Sequence, residues 1–200
     1  MAEAPVSTIQ AFQKKGHPVI CYFSAGTWED WRKDKNEFPK KSLGNVVGGW
    51  PQERWVNVSD PGVRKVMKQR IEQAHSKGCD GIDPDNIDGY ENNTGLNLTK
   101  ADAVNYIEYM AGLAHGLGMS MGLKNGGGIV DQVLNITQWV IVEQCVRYNE
   151  CDQYQPYIKA GKPVFQIEYN GKKKGCNGPH TKGFSTLIKK LNLASWTRTC

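Results

Sequence analysis

Short apolar or β-branched runs recur along this chain with helical patterns between them, and that alternation constrains its fold more than any other feature. The runs are Val19–Ser24, Trp55–Val58, Gly81–Asp85, Ser120–Lys124, Val140–Glu143 and Val164–Glu168, with a weaker seventh near Leu191–Trp196. Between the second and third, Asp60 can cap a helix whose first position is Pro61. Val63, Val66, Met67, Ile71 and Ala74 then form one stripe, and Gly78 ends it. A second helix opens at Thr99 with Asp102 three residues on, the spacing of a capping box. Val104, Ile107, Ala111 and Ala114 share one of its sides. Shorter helices are predicted over Ile129–Leu134 and Asp152–Ala160, and residues 1–16 read as a helix feeding the first strand. Repeated strand–helix–strand units imply parallel strands with right-handed crossovers. The fold class is therefore α/β. Periodicity alone leaves a doubly wound sheet and a (β/α) barrel equally open.

A length of 200 residues without a repeat or a Pro- or Ser-rich linker predicts one domain, 1–200. No apolar run approaches the ~18 residues of a membrane span, so membrane insertion is not expected. The start, MAEAPVSTIQAFQKKGH, has no apolar segment of the signal-peptide kind. The net charge is +5, and the basic residues are spread along the chain except for Lys172, Lys173 and Lys174 in a Gly-rich loop. That pattern does not point to nucleic acid. Six cysteines without a CxxC pair suit three disulfides, for which 15 connectivities exist, and Cys145 and Cys151 are close enough to staple one loop. With the sequons at Asn57, Asn92, Asn97 and Asn135, the cysteines favour a secreted protein.

The strand ends carry the chemistry. Ser24 leads into Thr27, Trp28 and Glu29; Asp83 and Asp85 end the third run, Lys124 and Asn125 the fourth, Glu143 and Gln144 the fifth, Glu168 and Tyr169 the sixth. In parallel α/β folds the carboxyl ends of strands bear the ligand site. Carboxylates, amides, a lysine and aromatics gathered there suit a carbohydrate cleft. Strand alternation puts Asp83 and Asp85 on one face. Read as an EF-hand, that segment fails at Ile87, Asp88 and Thr94, so no metal is assigned. Glu143 closes a hydrophobic strand, which favours an acid role near neutral pH. With Asp85 it supplies the two carboxylates that glycoside hydrolysis needs, and no cofactor is required.

Other signals are weaker. Trp28 can act as a sugar-stacking platform. Gly126-Gly127-Gly128 lacks a phosphate-loop signature and reads as a flexible turn, with nucleotide binding a remote alternative. His17, His75, His115 and His180 share no ligand spacing, and no GxSxG is present.

Several blocks, in order, resemble glycoside hydrolase family 114, the endo-α-1,4-polygalactosaminidases. They are Val19-Ile20-Cys21-Tyr22-Phe23-Ser24-Ala25-Gly26 with Glu29 and Arg32, Gly48-Gly49-Trp50-Pro51-x-Glu53-Arg54-Trp55, Gly78-Cys79-Asp80-Gly81-Ile82-Asp83-Pro84-Asp85-Asn86, Gly122-Leu123-Lys124-Asn125, Glu143-Gln144-Cys145 with Glu150-Cys151, and Gly161-Lys162-Pro163-Val164-Phe165 with Glu168-Tyr169. The resemblance implies a TIM-type (β/α)8 barrel, incomplete at the N-terminus because only some 18 residues precede the first block. It also implies hydrolysis of galactosamine-rich exopolysaccharide, with Asp85 as nucleophile and Glu143 as acid/base. Tyr22, Trp28, Asp83, Asn86, Asp88, Lys124, Asn125, Tyr148 and Glu168 are the expected substrate-binding residues. Asp83, Asp88 and Glu168 would oppose the charge of an amino sugar, and Lys124 would orient a carboxylate or a sugar hydroxyl. The expected state is a monomer whose partner is the polysaccharide. The alternative is a carbohydrate-binding protein of little or no catalytic power on the same fold.

Overall fold

The computed structural model describes residues 4–169, 176, 180–192 and 195–200. Lys172, Lys173 and Lys174 lie outside the described residues. Contacts divide the chain into two compact units, Met1–Met121 and Gly122–Cys200.

In the first unit, helix α1 (Val6–Gln13) precedes strand β1 (Ile20–Ser24). A three-stranded antiparallel sheet follows, built from β2 (Thr27–Glu29), β3 (Leu43–Val47) and β4 (Trp50–Val56) in the order β2-β4-β3. Helix α2 (Pro61–Ser76) leads to β5 (Gly81–Asp85), and α3 (Lys100–Gly116) leads to β6 (Ser120–Lys124), which begins in this unit. Strand β1 pairs in parallel with β5 from Ile20↔Gly81 to Ser24↔Asp85, and β5 pairs in parallel with the start of β6.

The helices form where the sequence signals place them. Asp60 Oδ1 accepts from the Gly62 amide at 2.7 Å, a cap worth about 1 kcal/mol. The apolar stripe of α2 is buried throughout. Each such side chain contributes on the order of 1.5–3 kcal/mol of apolar transfer. Thr99 and Asp102 close a full capping box on α3. The buried face of α3 differs in part from expectation. Ala103, Tyr106 and Met110 lie in the core beside Ile107, Ala111 and Ala114, whereas Val104 is half-exposed. Tyr106 goes inside because its hydroxyl has a partner, the Ala25 carbonyl at 2.9 Å.

The second unit begins within β6. It contains α4 (Val130–Val133), β7 (Trp139–Glu143), α5 (Cys145–Tyr148), α6 (Gln155–Lys159), β8 (Val164–Tyr169), β9 (Ser185–Lys189) and β10 (Thr197–Thr199). Strands β6 to β9 pair in parallel in chain order, and β10 returns antiparallel to β9. Gly122 packs so closely on Trp139 that a Cβ there would meet the indole nitrogen at 2.0 Å.

The α/β class with parallel strands and crossover helices is as expected, but strand membership is corrected twice. Of Trp55–Val58, Trp55 and Val56 are the end of β4, an antiparallel strand running from Trp50 and not a member of the parallel series, and Asn57 and Val58 lie beyond it. Its apolar run is real, but β2 and β3 flank it, a pairing that periodicity does not reveal. At the other end, the described part of Leu191–Trp196 is not strand; β9 and β10 lie on either side of it. Strand β9 carries little signal in the sequence because its burial alternates over only five residues, Ser185 to Lys189.

Three disulfides join Cys21–Cys79, Cys145–Cys151 and Cys176–Cys200, and the second is the expected staple. Cys21–Cys79 ties β1 to the residue pair preceding β5.

Candidate active site

Asp85 is the last residue of β5, and both of its carboxylate oxygens are held. The Tyr22 hydroxyl donates to Oδ2 at 2.8 Å, and the Asn86 amide donates to Oδ1 at 2.8 Å. Tyr22 is level with Asp83 in the parallel β1–β5 register, on the face that Asp83 and Asp85 share, and its long side chain reaches Asp85 two residues further on. Burial of the hydroxyl, together with the carboxylates of Asp85, Glu29 and Glu53, pushes the Tyr22 phenol far above its ordinary range. It is therefore a fixed proton donor to Asp85 at any working pH.

Asn86 has φ 60°, the left-handed region that Asn tolerates better than most residues. The turn is tight enough that Gly26 has no alternative: a Cβ there would lie 1.6 Å from the Asn86 carbonyl oxygen. Ala25 and Gly26 amides both donate to the Asp85 carbonyl, at 2.8 and 3.1 Å. The backbone on both sides of the carboxylate is thus fixed.

Behind this pair lies a polar cluster that the strand-end argument did not assign. The Asn86 side-chain amide donates to Ser24 Oγ at 3.0 Å. Ser24 Oγ is hydrogen-bonded to Thr27 Oγ1, which donates to Glu53 Oε2 at 2.8 Å. Ser24 and Thr27 are buried. Glu53 is half-buried on β4, and burial with Glu29 and Asp85 nearby raises its pKa against the pull of Thr27 and Arg32. Glu29 is itself buried and paired with Arg32 at 2.7 Å. Arg70, inside the apolar stripe of α2, binds Asp34 through two nitrogens at 2.7 and 2.9 Å and donates to the Ser24 carbonyl at 2.6 Å. A charged residue on the apolar face of α2 was the available signal for this anchor. Glu53 was visible only as part of the Gly48–Trp55 block.

The second unit builds its carboxylate in a similar way. Glu143 ends β7, and its Oε1 lies 3.4 Å from the Lys124 ammonium at the end of β6. Lys124 is buried. Asn125 Oδ1 accepts from the Glu143 amide at 2.9 Å. Asn125 and Gln144, which follow the two strand ends, have φ 53° and 60°. Glutamine in that region costs on the order of 1–3 kcal/mol, strain of a kind that collects at functional sites. Directly after Gln144, the Cys145–Cys151 bridge clamps α5. Buried Glu168 at the end of β8 accepts through Oε1 from the Val146 amide at 3.0 Å and from Gln166 Nε2 at 2.9 Å.

The remaining candidates are placed as follows. Asp83 is buried on β5, in register with Tyr22. Asp88 sits in the turn after Asn86, where its carbonyl accepts from Asn92 Nδ2 at 3.0 Å. Trp28 is half-buried on β2, and its indole N–H donates to the Lys35 carbonyl at 2.9 Å, which fixes the ring. Tyr148 is exposed at the end of α5 beside Arg147. In the triple-glycine turn, Gly127 packs on Gln153, whose Oε1 a Cβ there would meet at 2.0 Å. His180 pairs with Asp152 at 2.7 Å. Among the described residues, no three or more His, Cys, Asp or Glu are grouped to hold a metal ion, and no helix is long and apolar enough to cross a membrane.

The chain matches Glycoside-hydrolase family GH114 over residues 1–200. Among solved structures it is similar to Ega3 of Aspergillus fumigatus in complex with galactosamine. The identity is 44%, with 98% of this chain and 84% of that chain covered and a TM-score of 0.95. The glycoside hydrolase domain of PelA from Pseudomonas aeruginosa shares the fold at 13% identity. There 99% of this chain and 88% of that chain are covered, and the TM-score is 0.74. Comparison with the curated proteins gives no match.

Proposed function

Because this chain belongs to glycoside hydrolase family GH114 and is a glycosidase, we propose that it cleaves α-1,4-linked galactosamine-containing polysaccharide within the polymer, with Asp85 and Glu143 as the reacting pair. The observation that carries the reading is that both carboxylates end strands beside a polar partner, the Tyr22 hydroxyl at Asp85 and the Lys124 ammonium at Glu143. The relative solved with galactosamine bound supports the choice of sugar.

In this reading Asp85 attacks the anomeric carbon while Glu143 gives its proton to the departing glycosidic oxygen. Glu143 then takes a proton from water as that water displaces Asp85. Tyr22 and the Asn86 amide keep the Asp85 oxygens aimed, and a charge-assisted hydrogen bond of this kind is worth about 1.5–3 kcal/mol. Lys124 and Asn125 orient Glu143 and its strand end. An unacetylated galactosamine is cationic at neutral pH, and Asp83, Asp88 and Glu168 supply opposing charge; Trp28 and Tyr148 offer ring faces. The enzyme acts as a monomer, with residues 1–200 as one glycosidase domain. Its three disulfides support a secreted location.

The test is reducing-end release from a partly deacetylated α-1,4-galactosamine polymer, with products sized over time. A spread of intermediate oligomers appearing before monomer is expected. Monomer from the outset overturns the endo assignment, and binding of the polymer without release favours the binding-protein alternative.

A further inference from the structure

We propose that Glu53, Thr27 and Ser24 form a directed hydrogen-bond relay that sets the position of Asp85 through Asn86, making the three of them positioning residues for the reaction. The inference rests on the assignment of Asp85 above.

The direction of the relay follows from donor counting. The Asn86 side-chain amide can only donate from Nδ2, and it donates to Ser24 Oγ at 3.0 Å. Ser24 Oγ also accepts from the Thr27 amide at 3.2 Å. Its two acceptor sites are thereby used, so its own hydrogen must go to Thr27 Oγ1. Thr27 Oγ1, already an acceptor, passes its hydrogen to Glu53 Oε2 at 2.8 Å. Glu53 is the terminal acceptor that gives every preceding bond its sense. Without it, the Thr27 hydrogen would turn to Ser24, and the Ser24 hydrogen would then oppose the donating face of Asn86. The half-buried Asn86 side chain would lose its anchor on Ser24, which together with Thr27 is buried.

What Asn86 does makes this matter for chemistry. It is held at φ 60°, and its backbone amide donates to Asp85 Oδ1 at 2.8 Å. Release of the side chain lets that amide swing and frees a bond that orients the carboxylate. Misplacement of a reacting group by about 1 Å costs on the order of 100-fold in rate.

The test compares Thr27→Val, Thr27→Ser, Glu53→Leu and the Thr27→Val/Glu53→Leu double variant, with Asp85→Asn alongside, in the full chain. Removing the relay at either point should lower kcat about 10- to 30-fold with KM changed less than about threefold. Thr27→Ser, which keeps the hydroxyl, should restore most of the rate. The double variant should be no slower than either single variant, because one chain is broken once. Losses that multiply in the double variant, or a Thr27→Val enzyme with full kcat, overturn the relay while an inactive Asp85→Asn leaves the Asp85 assignment standing. Hydrolysis that survives Asp85→Asn overturns that assignment instead.

Discussion

The Tyr22 hydroxyl donates to Asp85 Oδ2 across 2.8 Å, and the phenol is held protonated by burial and by the carboxylates around it. The family resemblance implies a place for Tyr22 against the sugar, and its hydroxyl is bonded to the carboxylate itself. Tyr22→Phe removes that donor and little else. Loss of one charge-assisted hydrogen bond, about 1.5–3 kcal/mol, corresponds to roughly a 10- to 100-fold fall in kcat. Steady-state kinetics on the polymer checks it, and unchanged kcat would contradict the role.

Gly26 and Asn86 meet backbone to backbone: a methyl group at residue 26 would overlap the Asn86 main-chain carbonyl oxygen at 1.6 Å. Backbone cannot yield as a flexible side chain does. Gly26→Ala should therefore lower Tm by several degrees and lose most activity, whereas Ala at Gly112, with open space around it, should do neither. Thermal melts and the reducing-end assay on the two variants separate a local clash from a general intolerance of substitution.

Glu53 carries a raised pKa, caused first by burial and then by Glu29 and Asp85. A carboxyl whose folded value is raised favours the folded state below its unfolded value, ordinarily 4.5, and this contribution is lost as pH rises through the folded value. At neutral pH the ionised Glu53 thus costs stability. Glu53→Gln should melt higher than wild type near pH 7, and the gap should shrink below about pH 4. A variant less stable at pH 7 than at pH 4, relative to wild type, would count against it. Because the Gln carbonyl can still accept from Thr27, the rate should fall less than in Glu53→Leu.

Much of this arrangement can be read directly from residue order. The α2 and α3 caps, the ends of β5 and β6, and the Cys145–Cys151 staple follow from local chemistry within a few residues. So do the carboxylates at strand ends, since a hydrophobic run that stops on Asp85 or Glu143 marks its own boundary. What local pattern does not carry is partnership. Trp55–Val58 looks like any buried strand until β2 and β3 are seen beside it. Tyr106 and Arg70 look misplaced on apolar faces until the Ala25 carbonyl and Asp34 are seen to receive them. The relay from Glu53 to Asn86 joins residues 33 positions apart through two hydroxyls, a link with no periodicity to betray it.

The disulfides should differ in their contribution to stability. Cys21–Cys79 closes a separation of 58 residues and Cys145–Cys151 one of 6. The chain-entropy account gives about 4 kcal/mol for the first and about 2 kcal/mol for the second. Paired Cys→Ala substitutions compared by denaturant unfolding should show the larger loss at Cys21–Cys79. The loss at Cys145–Cys151 should fall more heavily on activity, because that bridge clamps the chain directly after Glu143 and Gln144.

The most direct measurement is reducing-end release from the partly deacetylated galactosamine polymer by Asp85→Asn and Glu143→Gln, each checked for an unchanged cooperative melt. The two-carboxylate account predicts that both lose at least about 100-fold in kcat while still binding the polymer. Hydrolysis at the wild-type rate by either folded variant would contradict it.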